Sequence, residues 1–193
     1  MNNDIVIKNE CILDQLLTKM NENPSIGILS PRILKYPDKN EVWFEQALIN
    51  RIGFPYKKTD AKWYLHSLNQ LFECGCKGNN DLLYNDWIPF CSVLIRRDVI
   101  DNLGALAEEY FLYMEDVEYC TRATQNGYLL ATDMQSEIYH KVSSHESLDE
   151  LKTYYTVRNR LLYTNKYFSI GFSIVIGYLW WVTLLVFQRL LNF

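Results

Sequence analysis

From Tyr167 to Gln188 the chain carries no charged residue, a run of about twenty positions that as a helix would cross a ~30 Å hydrocarbon core. Ile170, Phe172, Ile174, Val175, Ile176, Leu179, Val182, Leu184, Leu185, Val186 and Phe187 fill the run. No polar face breaks it, as one would in a helix packed on one side of a soluble core. Gly171 and Gly177 are tolerated in membrane helices, whereas Trp180 and Trp181 fall past mid-span rather than at an interface. A membrane helix over 167–188 is therefore expected. Lys152, Arg158, Arg160 and Lys166 precede it and only Arg189 follows, which places the preceding globular part on the cytoplasmic side.

Upstream of that run, 193 residues in all suit one compact domain and an appendage. A net charge of −4 without a long basic run argues against a nucleic-acid partner. Aromatics make up 15% of the chain, which suits a core, a sugar-binding cleft or a membrane interface. Cys11, Cys74, Cys76, Cys91 and Cys120 are odd in number and irregular in spacing, and no signal-peptide pattern opens the chain. Reduced thiols are expected. Cys74 and Cys76, even with His66, fall short of the four ligands of a structural zinc site.

Ile12, Leu13, Leu16, Leu17 and Met20 recur on one helical face, with Asn9 ahead as a cap and Asn21 to Pro24 as a stop. Ile26 to Leu29 read as a buried strand ended by Pro31. Ile33 to Tyr36 and Val42 to Phe44 flank Pro37-Asp38-Lys39-Asn40 as a hairpin. From Arg51 to Asp86 periodicity fades, and a long loop is expected. Trp87 to Ile95 form an apolar strand; a short helix follows, capped by Asp98 and stopped at Gly104. Tyr128 to Thr132 and Glu137 to Tyr139 suggest two further strands, and Ser147-Leu148-Asp149-Glu150 matches a capping box that opens a helix.

Glu115 and Asp116 stand between an aromatic run and the helical stretch Val117 to Gln125, closed by Gly127. Adjacent carboxylates repel, and partial burial raises the pKa of at least one, which makes a usable general base near neutral pH. The plain alternative is that Asp116 is only a helix N-cap. The whole segment Tyr110-Phe111-Leu112-Tyr113-Met114-Glu115-Asp116-Val117-Glu118-Tyr119-Cys120-Thr121-Arg122, then Gly127-Tyr128 and Ile138-Tyr139-His140, resembles the second half of a family 2 glycosyltransferase catalytic domain. Leu94-Ile95-Arg96-Arg97 ahead of it, and Gly104 with Glu108 and Phe111, also match that family in order and spacing. The likeness is greatest to the rhamnosyltransferase and galactofuranosyltransferase branches, which build bacterial surface polysaccharides.

That resemblance implies an α/β fold of GT-A type that uses nucleotide-sugar donors. It makes Asp116 the catalytic base toward an acceptor hydroxyl, with inversion at the anomeric carbon, and has Glu115 assist. Glu115 and Glu118 would hold the acceptor or orient the loop, and Arg122 would bind the acceptor with Glu118. Asn2-Asn3-Asp4 resembles the family's metal motif, so Asp4, with His140 near the donor phosphates, would hold Mg²⁺ or Mn²⁺. The organisation implied is a partial GT-A domain over 1–146, a juxtamembrane helix over 147–166 and the membrane helix over 167–188, at the cytoplasmic (inner) membrane. The partners implied are a nucleotide-sugar donor, a glycan or lipid-linked acceptor, and the membrane.

Two departures qualify the likeness: Ala107 stands where an Asp is usual, and Phe90 replaces a small residue. The family's nucleotide-binding strands normally precede the metal motif, which here follows Met1 directly. A truncated GT-A fold is therefore expected, with a second chain supplying the nucleotide half. The alternative is a catalytically silent, membrane-anchored fragment or binding module that needs a partner chain.

Overall fold

A computed structural model describes residues 4–7, 9–37, 41–50, 53–60, 81–141 and 150–168, together with 179, 180 and 183. It is a mixed α/β structure built on two long strands. Strand β2 (Ile26–Lys35) runs parallel to β8 (Leu129–His140). β2 is almost wholly buried and β8 largely so apart from its first residue and most of the segment 134–137, as expected for parallel strands covered on both faces.

Short antiparallel strands complete a six-stranded sheet. The first half of β8 pairs with β6 (Leu82–Tyr84), and its second half with β1 (Ile5–Ile7), Ile5 lying opposite His140. β2 divides in the same way between β7 (Leu94–Ile95) and β3 (Val42–Phe44). A separate two-stranded hairpin joins β4 (Ala47–Ile49) to β5 (Pro55–Lys57), so that β5 and β6 both fall within the 51–86 stretch expected to be a loop. Asn50 closes it: its side-chain oxygen accepts from Phe54 N at 2.9 Å, and its carbonyl accepts from Gly53 N at 2.9 Å.

Pro31 does not end its strand. The register passes from Pro31 opposite Asp133 to Arg32 opposite Glu137, so Met134, Gln135 and Ser136 bulge out of the ladder. A residue without an N–H fits where the ladder is already interrupted. Asp133 ties the bulge, its carboxylate accepting from Gln135 N at 3.2 Å and Ser136 Oγ at 2.5 Å. The two strands expected over 128–139 are therefore one bent strand. The expected hairpin at Pro37 forms, with Ile33 opposite Phe44 and Leu34 opposite Val42.

Helix α1 (Ile12–Glu22) buries Ile12, Leu16 and Met20 but leaves Leu13 and Leu17 exposed, a narrower stripe than its apolar content suggests. Asn9 acts ahead of it, its side chain accepting from Cys11 N at 3.0 Å. The strand expected over 87–95 shrinks to Leu94–Ile95. Pro89 cannot donate to a ladder, and the Ile88 backbone bonds instead to the Cys120 thiol, N to Sγ at 3.4 Å and Sγ to O at 3.8 Å. Helix α2 (Arg97–Leu103) ends at Gly104 (φ 72°), as expected. Its start differs, because Asp98 lies inside the first turn and accepts only from Val99 N at 3.1 Å. Arg96 locks α2 to α1, donating to the carbonyls of Ile26 (2.7 Å), Asn23 (3.1 Å) and Met20.

Helices α3 (Glu115–Gln125) and α4 (Glu150–Tyr167) pack through Tyr110, Met114, Val117 and Tyr163, a second apolar cluster beside the main core. The segment expected to link the domain to a membrane is thus an integral part of the fold, since Asn159 and Tyr163 of α4 are wholly buried. The capping-box positions 147–149, and almost all of the expected span 167–188, lie outside the described residues. Among the described residues no helix is long and apolar enough to cross a membrane.

Candidate functional site

The Glu115–Asp116 pair is presented by an unusual turn. Tyr113 (φ 65°) and Met114 (φ 71°) both adopt the left-handed conformation, which for non-glycine residues costs roughly 1 kcal/mol or more each. Met114 occupies the N-cap position, and the first helical bond runs from Glu118 N to Met114 O at 2.9 Å. Asp116 is therefore a first-turn residue and not the N-cap, its Oδ1 accepting from Val117 N at 2.8 Å.

Burial pushes the Asp116 carboxyl up to about 7, and the adjacent Glu115 charge adds to this. Backbone hydrogen bonds from Val117 and Phe90 pull the other way without cancelling the rise. Burial also raises the Glu115 carboxyl, whose Oε2 is enclosed and has no hydrogen-bond partner among the described residues. Among the described residues neither group has a cation to hold it ionised, so the pair can take up a proton near neutral pH.

Asp4 and His140 meet at the start of β1 and the end of β8, although 136 positions separate them. Their Oδ2 and Nε2 atoms are 3.0 Å apart, and Lys141 N donates to the Asp4 carbonyl at 2.8 Å. Trp43 of β3 covers the imidazole with ring centroids 4.4 Å apart, and the Lys57 ammonium stands 4.2 Å over the Trp43 ring. Asp4 Oδ1 and His140 Nδ1 are both enclosed and have no hydrogen-bond partner among the described residues. A free carboxylate oxygen beside an imidazole fits a divalent cation that takes its remaining ligands from water or phosphate. Among the described residues no cluster of three or more His, Cys, Asp or Glu could hold a metal by itself. Cys74, Cys76 and His66 lie outside the described residues.

The two carboxylate sites face a common neighbour. Burial pushes the Cys91 thiol up to about 12, and the charges of both Asp4 and Asp116 reach it and add to the rise. Cys91 is thus a buried thiol on which the charges of both Asp4 and Asp116 bear.

Glu118 and Arg122, the expected acceptor-binding pair, are engaged with the protein. Glu118 is wholly buried and accepts from Arg122 Nε (2.9 and 3.1 Å), Lys166 Nζ (3.1 Å) and Tyr167 OH (2.6 Å). Burial would raise its carboxyl, but these hydrogen bonds and the Arg122 charge hold it below the ordinary range. Arg122 also donates to the carbonyls of Leu103 (2.7 Å) and Ala105 (3.0 Å), fastening the end of α2 to α3.

The residues that the sequence leaves unmarked come from α4. Lys166 bridges Glu109 and Glu118, each at 3.1 Å. Arg158 donates to the Glu109 carbonyl at 2.8 Å, and Asn159 donates to the carbonyls of Leu112 and Tyr113, each at 2.8 Å. A buried Asn inside a helix, where Asn is a poor helix former, is the one signal that could have marked this face.

Among proteins of known function, the low-salt glycan biosynthesis hexosyltransferase Agl10 of Haloferax volcanii is 26% identical over 173 residues, or 88% of this chain and 50% of that protein. The chain is similar to a glycosyltransferase. It spans about half the length of the curated relative that it matches. No family model matches it.

Proposed function

We propose that the chain is the acceptor-side part of a family 2 glycosyltransferase of GT-A type that transfers a hexose from a nucleotide-sugar donor to a glycan or lipid-linked acceptor with inversion. The observation that carries this reading is Asp116, a half-buried carboxyl raised to about 7, set by a strained turn at the start of α3 on the same part of the fold as Asp4 and His140. Similarity to a hexosyltransferase along most of the chain supports it.

In this reading the ionised Asp116 accepts the proton of an acceptor hydroxyl while that oxygen bonds to the anomeric carbon and the bond to the leaving diphosphate breaks. Glu115 keeps the Asp116 carboxyl basic through its neighbouring charge. Asp4 and His140 are the residues that would hold Mg²⁺ or Mn²⁺, which offsets charge on a diphosphate when bound. Glu118 and Arg122 act indirectly, by fixing α3 against α2 and α4, rather than by touching the acceptor. The charge-free run over 167–188 is proposed as the tether that keeps the domain at the cytoplasmic membrane, near lipid-linked acceptors and the surface-polysaccharide pathway.

The test uses the longest reading frame that contains this chain, assayed for hexose transfer from UDP-, dTDP- and GDP-sugars to detergent-solubilised lipid-linked glycan. Asp116→Asn is expected to lower transfer by about 10²-fold or more while donor binding, measured by calorimetry with Mn²⁺, stays intact. Equal loss of binding and transfer would assign Asp116 to structure and overturn the reading.

A further inference from the structure

The candidate base is carried by a turn that lies outside helix and strand. Tyr113 and Met114 are consecutive left-handed residues with side chains, and such a pair persists only where its surroundings over-determine it. The carbonyls of Leu112 and Tyr113 take no part in helix or sheet, and a buried carbonyl without a donor is costly. Both are satisfied from one side chain. Asn159 is wholly buried, and its Nδ2 donates to the carbonyls of Leu112 and Tyr113 at 2.8 Å each. Its Oδ1 accepts from Arg158 Nη1 at 2.6 Å, and the same Nη1 donates to the Glu109 carbonyl at 2.8 Å. The amide orientation is fixed by its partners, because two carbonyls can only accept and a guanidinium can only donate.

We propose that Asn159 is a positioning residue that holds the left-handed pair Tyr113–Met114 and, through it, the placement of Asp116 at the start of α3. The role rests on the reading of Asp116 as the base. Without the amide, Tyr113 returns to a right-handed or extended conformation, the first turn of α3 shifts, and Asp116 is carried toward water, where loss of the burial that raises its carboxyl outweighs loss of the Phe90 and Val117 backbone donors. Asn159 itself touches neither the acceptor nor the donor.

The experiment compares the full chain in detergent with Asn159→Ala and with Asn159→Ala carrying Tyr113→Gly, since glycine takes the left-handed conformation without a Cβ penalty. Three quantities are read: the unfolding midpoint, the HN–Hα couplings of residues 113 and 114, and the ¹³C titration of the Asp116 carboxyl. In Asn159→Ala the left-handed couplings are expected to disappear and the Asp116 midpoint to fall from about 7 toward the ordinary range of an aspartate. Tyr113→Gly should restore both. A folded Asn159→Ala protein with unchanged couplings and an unchanged Asp116 midpoint overturns the proposal, as does a folded double variant that restores neither. If Asn159→Ala does not fold, a folded double variant with Asp116 titrating near 7 sustains the proposal, and a double variant equally unfolded overturns it. An ordinary Asp116 midpoint in the parent chain sinks the base reading instead, and the couplings then still judge the clamp.

Discussion

Two carboxylate sites lie within one turn of α3 and behave in opposite ways. Glu115 and Asp116 open the helix with few partners, and burial drives both upward. Glu118 is buried more completely, yet Arg122, Lys166 and Tyr167 hold it below the ordinary range. The difference shows that burial alone does not mark a reactive acid. What matters is whether burial comes with a cation and donors. Three donors at Glu118 make a structural joint between α3 and α4, and their scarcity at Asp116 leaves a group able to exchange a proton near neutral pH.

The largest effect should come from breaking the joint. Glu118→Gln removes the wholly buried anion that Arg122 and Lys166 share, while both cations keep other partners and some contact with water, and a loss of about 2–3 kcal/mol in denaturant unfolding is expected. A loss below about 1 kcal/mol would show that Glu118 is no more of a structural joint than Asp116.

The next effect has the opposite sign and depends on pH. A carboxyl raised in the fold gives up stability as pH climbs from its unfolded value of 3.8 through about 7. Asp116→Asn should therefore be more stable than the parent above pH 7, by about 1–2 kcal/mol with the half-buried position discounted, and indistinguishable from it below pH 3.8. Parallel stability curves across that range would remove the contrast with Glu118. The smallest effect should be at Arg97→Ala, which breaks the Arg97–Asp101 pair at 2.9 Å on the surface of α2. A change within about 0.5 kcal/mol is expected, because exposed ion pairs contribute little. A larger loss would show that exposure does not separate this pair from the Glu118 joint.

The sequence by itself determined most of the local structure. The apolar spacing of Ile12, Leu16 and Met20 sets α1, the turn at Pro37 sets a hairpin, and Gly104 ends α2, because each rests on neighbours a few positions apart. Glu115, Asp116, Asp4 and His140 also stand out in the sequence as a pattern of motifs. Only the tertiary structure decided what the charged residues do. Glu118 and Arg122 sit in the same motif as Asp116, yet their partners Lys166, Tyr167, Leu103 and Ala105 are remote in sequence or outside regular elements. Pro31 marks a strand end by its own chemistry, and a bulge in a strand about a hundred positions away makes it tolerable. Helix α4 follows the same rule. Its basic residues suggest a helix leading to a membrane, whereas buried Asn159 holds the turn and Lys166, itself exposed, reaches back to Glu118, since hydrogen-bond partners are set by long-range packing that no local pattern encodes.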